Sequence, residues 1–133
     1  MISNILLGTN NIHRSEAFYD TLLALFGARK TMKTDRSILW QTENDSVGIA
    51  VCLPYDSQAA TSGNGNMVGL KANSEAMVRE VYQTALSLGG TCEGEPGERK
   101  PGVFAAYFRD PEQHKFGVFY IQNSHSDSQT WSS

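Results

Sequence analysis

Apolar and polar positions follow two rhythms along this chain, and the order of the rhythms is given twice. Residues 2–9 (Ile-Ser-Asn-Ile-Leu-Leu-Gly-Thr) are a short apolar run suited to a strand. Asn10-Asn11 then offers a helix cap, because a short polar side chain can accept from backbone N–H groups that a helix start leaves unpaired. From Ile12 to Phe26, Ala17, Phe18, Leu22, Leu25 and Phe26 recur at spacings of three and four, which predicts a helix with one buried face. Gly27 ends it, being free to turn left-handed. The second copy starts at Met67, where 67–72 again predict a strand and Asn73-Ser74-Glu75 a cap with an acidic first turn. Ala76 to Leu88 place Met77, Val78, Val81, Ala85 and Leu88 on one helical stripe, and Gly89-Gly90 stop it.

After each helix come short strand candidates parted by turn signals. These are 28–33, 37–42 and 47–53 in the first half, with breaks at 34–36 and 43–45. In the second half they are 91–93, 102–109 and 116–121, with breaks at Gly94-Glu95-Pro96-Gly97 and at 110–114. The expected class is α+β, with two tandem β-α-β-β-β modules in a single domain spanning 1–122. Module one covers 1–53 and module two 66–122, joined by a mobile Ser/Gly/Asn/Ala-rich linker at 54–65. A polar tail at 123–133 is expected to be disordered, with Trp131 able to dock locally. A lone helix covers only one face of a four-stranded sheet. Two such units with concave faces inward make a half-open mixed β-sheet barrel, helices outside, and a cavity between them suits a ligand.

Composition narrows the class. Of 133 residues, 40% are apolar and 19% charged, which excludes a disordered chain. The net charge is −3 and the Lys and Arg residues are scattered, so no basic stripe recommends nucleic acid. No apolar run approaches the roughly 20 residues of a membrane span, and the first residues lack the features of a signal peptide. Cys52 and Cys92 are expected to be free thiols, consistent with a cytoplasmic location.

Three stretches carry a family resemblance. Ile12-His13-Arg14-Ser15-Glu16-Ala17-Phe18-Tyr19 is similar to a first helix with a Phe-Tyr pair, and Ala85-Leu86-Ser87-Leu88-Gly89-Gly90 to the end of a second. The most specific is Ala105 to Phe116, similar to an Asp-Pro-Asp/Glu-Gly-Asn-Lys hairpin before a last strand. With the duplicated order, the chain resembles the vicinal oxygen chelate superfamily over residues 2 to 121. That superfamily includes glyoxalase I, bleomycin-resistance-type binding proteins and extradiol dioxygenases. The resemblance implies a metal site built from His or Glu on the first and last strands of each module. Here those positions are Asn4, Met67 and Gly117, and the last strand of module one (47–53) has neither His nor carboxylate. An amide, a thioether and a glycine cannot hold a hard divalent ion, so no metal or other cofactor is expected. His13, His114 and His125 lack ligand spacing such as H-x-x-x-H. They are expected on the surface of the helix, solvated in the hairpin turn, and in the tail respectively, with Glu112 a surface turn carboxylate.

If Asn4, Met67 and Gly117 face the cavity, as the resemblance implies, strand alternation adds Leu6 and Gly8, Gly69 and Lys71, and Phe119 and Ile121. Glycines at 8, 69 and 117 either leave room for a ligand or permit close packing. Trp40 and Tyr107 are candidates to stack on a flat ligand, with ordinary core packing as the alternative. The candidate ligand-binding residues are therefore Asn4, Leu6, Trp40, Met67, Gly69, Tyr107, Gly117 and Phe119, and no metal ligands are assigned.

This wall favours a metal-free small-molecule-binding protein with an apolar cavity. The resemblance implies a homodimer sharing the pocket between subunits; whether modules pair within a chain or swap between chains stays open. The alternative is a metal-dependent glyoxalase-like lyase or dioxygenase acting on a small organic substrate, which would need a base near the reacting carbon. A third reading is a regulatory relic whose cavity is filled by its own side chains.

Overall fold

The repeat read from the sequence is present as two four-stranded sheets, each crossed by one helix. The computed structural model describes residues 1–44 and 47–122. The first unit runs β1 (Asn4–Gly8), α1 (Ile12–Ala24), β2 (Arg29–Lys33), β3 (Ser37–Gln41) and β4 (Gly48–Cys52). The second runs β5 (Val68–Lys71), α2 (Glu75–Ser87), β6 (Thr91–Lys100), β7 (Val103–Arg109) and β8 (Lys115–Ile121). The strand orders are β1-β4-β3-β2 and β5-β8-β7-β6. In each sheet the first strand pairs in parallel with the last, as Leu6 with Ala50 and Gly69 with Gly117, and the other pairs are antiparallel. A parallel pair needs a long crossover, and each helix lies between the first strand of its unit and the rest.

Both helices start where cap chemistry predicts. The Asn11 side chain accepts from the Arg14 N–H at 3.0 Å and the Ser74 hydroxyl from the Met77 N–H at 3.0 Å. Gly27 (φ +81°) and Gly89 (φ +100°) follow the helix ends in the left-handed region. The buried stripe of α1 is Ser15, Phe18, Tyr19, Leu22 and Leu23; it shares Phe18 and Leu22 with the expected one, while Leu25 and Phe26 pack half-buried against the core and Ala17 is exposed. A larger difference is β6. The run Gly94-Glu95-Pro96-Gly97 is not a turn; it lies within a ten-residue strand whose pairing shifts register at three bulges. β6 is an edge strand, and bulged edges are where a sheet tolerates proline and glycine. The chain turns instead at Pro101-Gly102, with Gly102 at φ +81°.

The two units share one core. Tyr19 on α1 packs 5.6 Å from Trp40 in β3 and 6.0 Å from Phe116 in β8, centroid to centroid. Phe108 stacks on Phe116 at 5.5 Å, and Val78, Val81 and Ala85 of α2 join the same cluster. α1 and α2 touch. β1 and β5 are facing sheet edges with no ladder between them, so the two sheets form a half-open barrel with helices outside.

A polar clamp fixes the seam between the units. The turn after β7 reaches the turn after β1, where Thr9 Oγ1 donates to Glu112 at 2.6 Å and the Asn10 N–H at 2.8 Å. Arg14 adds an ion pair to the same carboxylate at 2.9 Å, leaving the Glu112 side chain 6% exposed. Buried Asp110 accepts from the Glu112 and His114 N–H groups at 2.9 and 2.8 Å and from the Tyr19 hydroxyl. His114 Nε2 lies 2.8 Å from the Gly8 carbonyl, which makes that nitrogen the donor. The expectation of a solvated His114 and a surface Glu112 is thus corrected: both are seam residues. The linker is also tied, because the Asn10 side chain bonds the Ala60 N–H (2.7 Å) and carbonyl (3.2 Å). The expectations for Asp45 and for residues 123–133, with His125 and Trp131, lie outside the described residues.

Candidate ligand-binding face

Register decides which side chains share the open face. Paired residues point to the same side of a sheet. In the first unit Asn4 and Leu6 stand opposite Gly48 and Ala50, with Leu39 beside Ala50. In the second, Gly69 stands opposite Gly117 and Lys71 opposite Phe119, with Tyr107 and Ala105 beside them on β7. Leu6 (58% exposed) and Met67 (46%) stand out in solvent. The β1 edge (Ile5 to Gly8), Met67 and Gly69 line one hollow of about 650 Å³, with His114 and Lys115 at its side. A second hollow, about 440 Å³, lies over Gly69, Lys71, Phe119 and Ile121.

Seven of the eight expected residues fall on or beside this face, and Trp40 does not. Its register partner is Ile49, so it points to the helix side. There it is 1% exposed and its indole Nε1 donates to Asp20 at 2.8 Å. Sequence alternation within one strand could not reveal this, since the phase of β3 relative to β1 is set through β4.

The glycines do not leave empty space. A methyl group at Gly117 would sit 2.7 Å from two atoms of the Phe119 ring and 3.1 Å from Tyr107. At Gly69 it would meet Phe119 at 3.5 Å, and at Gly8 it would meet the Ala60 methyl at 3.1 Å. Phe119 therefore lies across Gly117 and Gly69 and forms a flat floor, with Tyr107 edge-on at 5.6 Å and 81°. Close packing is realised at Gly117 and Gly8, whereas Gly69 is exposed and would hold a methyl at ordinary contact distance from Phe119. The floor leads into the solvent-open hollow.

Charge gathers at the edges of that floor. Lys115 Nζ lies 5.7 Å and the Arg99 guanidinium 5.3 Å from the Tyr107 centroid. Cys52, in register with Gly8, is the thiol on the first unit's open side, and burial pushes its pKa up, away from a nucleophilic thiolate. Glu112 at the seam is pulled both ways: burial raises its pKa, but hydrogen bonds from Thr9, Asn10 and Arg14 outweigh burial and hold it low. Tyr19 is pushed well above the usual phenol range, first by burial and then by the Asp110 charge, so it serves as a neutral donor.

The metal site of the resembled superfamily can be tested against these donors. With Asn4 equivalent to Met67, the parallel registers make Ala50 the counterpart of Gly117. The four positions then offer an amide, a methyl, a thioether and a hydrogen atom, and Phe119 fills the space at the last. Among the described residues no three His, Cys, Asp or Glu side chains converge. This donor set does not fit a divalent ion.

Comparison with known proteins agrees with the fold. A glyoxalase/bleomycin resistance protein from Albidiferax ferrireducens T118 superposes with a TM-score of 0.82 at 27% identity, covering 90% of this chain and 98% of that one. A putative glyoxalase from Bacillus halodurans gives 0.76 at 20% identity, with 90% and 95% coverage. A lactoylglutathione lyase from Agrobacterium tumefaciens gives 0.67 at 18%, with 95% and 97%. No curated protein matches. Residues 1–118 match the profile of the Glyoxalase/Bleomycin resistance protein/Dioxygenase superfamily, and the chain belongs to that superfamily.

Proposed function

We propose that this chain is a small-molecule-binding member of its superfamily that works without a divalent metal. The observation that carries the reading is the state of the four ligand positions. Asn4, Ala50, Met67 and Gly117 supply no charged donor, and the Phe119 ring occupies the place a carboxylate would need. What remains is an apolar floor beside a solvent-open hollow of drug-ligand size. Asn4 offers a hydrogen-bonding group on the open side of the first unit. The exposed Leu6 and Met67 support a homodimer in which the second copy covers this face. Two cysteines unpaired with each other, Cys52 and Cys92, fit a reducing cytoplasmic setting. Among the described residues no helix is long and apolar enough to cross a membrane.

A thermal-stability screen of small aromatic and amphipathic compounds tests the reading. Saturating ligand at about 100 times its Kd adds about 2.7 kcal/mol to stability, a clear rise in Tm. Several stabilising compounds of flat, apolar shape are expected. A screen in which none stabilises would contradict it and favour a relic without a ligand.

A further inference from the structure

We infer that the molecule bound on this face is a flat organic anion, an apolar ring system bearing a carboxylate, sulfonate or phosphate. The inference rests on the binding function proposed above and narrows its ligand. Its motive is an asymmetry of charge. The chain as a whole is acidic, with a net charge of −3. Yet the open-face positions fixed by strand register carry Arg29, Lys71, Lys100, Arg109 and Lys115, and none of them is Asp or Glu. The acids lie mostly elsewhere: Glu16 and Asp20 of α1 bind Lys30 and Lys33, Glu112 is held in the seam, and Glu93 joins this side as the partner of Arg109.

Four cations border the floor. Arg109 is neutralised by Glu93 at 3.0 Å. Lys71, Arg99 and Lys115, by contrast, have no ion pair to a described carboxylate. Arg99 is held by the backbone carbonyls of Glu95 (2.7 Å) and Gly97 (3.0 Å), which aim the guanidinium over Tyr107 without cancelling its charge. Lys115 approaches the same ring, and Lys71 stands opposite Phe119 and lines the hollow. Positive charges beside a low-dielectric floor attract an anion more strongly than they would in water. An inorganic anion would leave the Phe119 and Tyr107 surface wet, and an organic cation would meet three like charges. A flat anion satisfies both features.

Isothermal titration of the full-length protein with three isosteric probes tests this: 2-naphthoate, 2-naphthamide and 2-naphthylmethylammonium. Naphthoate is expected to bind about tenfold or more tighter than the amide, and the ammonium weakest. Raising salt from low to near-molar concentration should weaken naphthoate and leave the amide unchanged. Lys71→Gln and Lys115→Gln, both surface changes that keep the fold, should each weaken naphthoate several-fold without moving the amide. Equal affinity for amide and carboxylate, or tighter binding of the ammonium, would overturn the anion inference while small-molecule binding stands. No binding by any of the three would overturn both.

Discussion

Gln113 holds φ at +77°, a backbone region that costs a residue with a side chain roughly 1–2 kcal/mol. It sits in the Asp110–His114 turn, at the place where the resembled hairpin has glycine. The bonds it makes there use its backbone: its N–H donates to the Asp110 carbonyl at 2.9 Å and its carbonyl accepts from Arg109 at 2.8 Å. Gln113→Gly keeps both. After the larger entropy of glycine in the unfolded chain is counted, it should stabilise by about 0.5–1 kcal/mol. A Tm raised by about 2–4 °C in calorimetry checks this; a lowered Tm would show that the glutamine side chain contributes contacts. Single residues were the least legible level of this sequence. Gly117 was readable as a missing ligand but not as a slot for Phe119, because a ring two residues along the same strand can fold back only once its neighbours on β5 and β7 are set. The helix-side position of Trp40 was unreadable for a similar reason, since alternation gives a period and not a side.

At the scale of elements, order and type were legible, because caps, helical stripes and Gly27 and Gly89 stops are local signals. β6 was not: Gly94 to Gly97 carries turn chemistry but is held in a bulged edge strand by pairing with Tyr107 and Ala105. The seam was invisible as well, since Thr9 and Glu112 meet across 103 positions. That contact has a pH signature. Glu112 has a lower pKa folded than unfolded, because three donors stabilise its charge despite burial. Its contribution to stability is therefore complete above the ordinary glutamate value of 4.5 and is lost as pH falls through the lowered folded value. Charge-assisted hydrogen bonds of this kind contribute about 1.5–3 kcal/mol. Urea denaturation from pH 6 to pH 3 should show a loss of stability in the native protein that Glu112→Gln lacks over the same interval. Parallel pH profiles for the two proteins would contradict this role.

For the whole molecule, the duplicated pattern and the Asp-Pro hairpin were enough to read a half-open barrel with helices outside, and the shared core around Tyr19 and Phe116 joins its halves. The alignment of Asn4, Met67 and Gly117 pointed to the open face and to missing donors, and register adds Ala50 as the fourth position. The charge asymmetry of that face was not readable, because it depends on which of two sides each lysine and arginine takes. The proposed metal-free binding function rests on a superfamily scaffold whose metal-donor positions hold an amide, a methyl, a thioether and a packed aromatic ring. Elemental analysis of protein purified without chelator tests it most directly. Ni, Zn, Fe and Mn should each come far below one atom per chain; one atom of any of them per chain, retained through gel filtration, would overturn the metal-free reading and favour a metal-dependent lyase or dioxygenase.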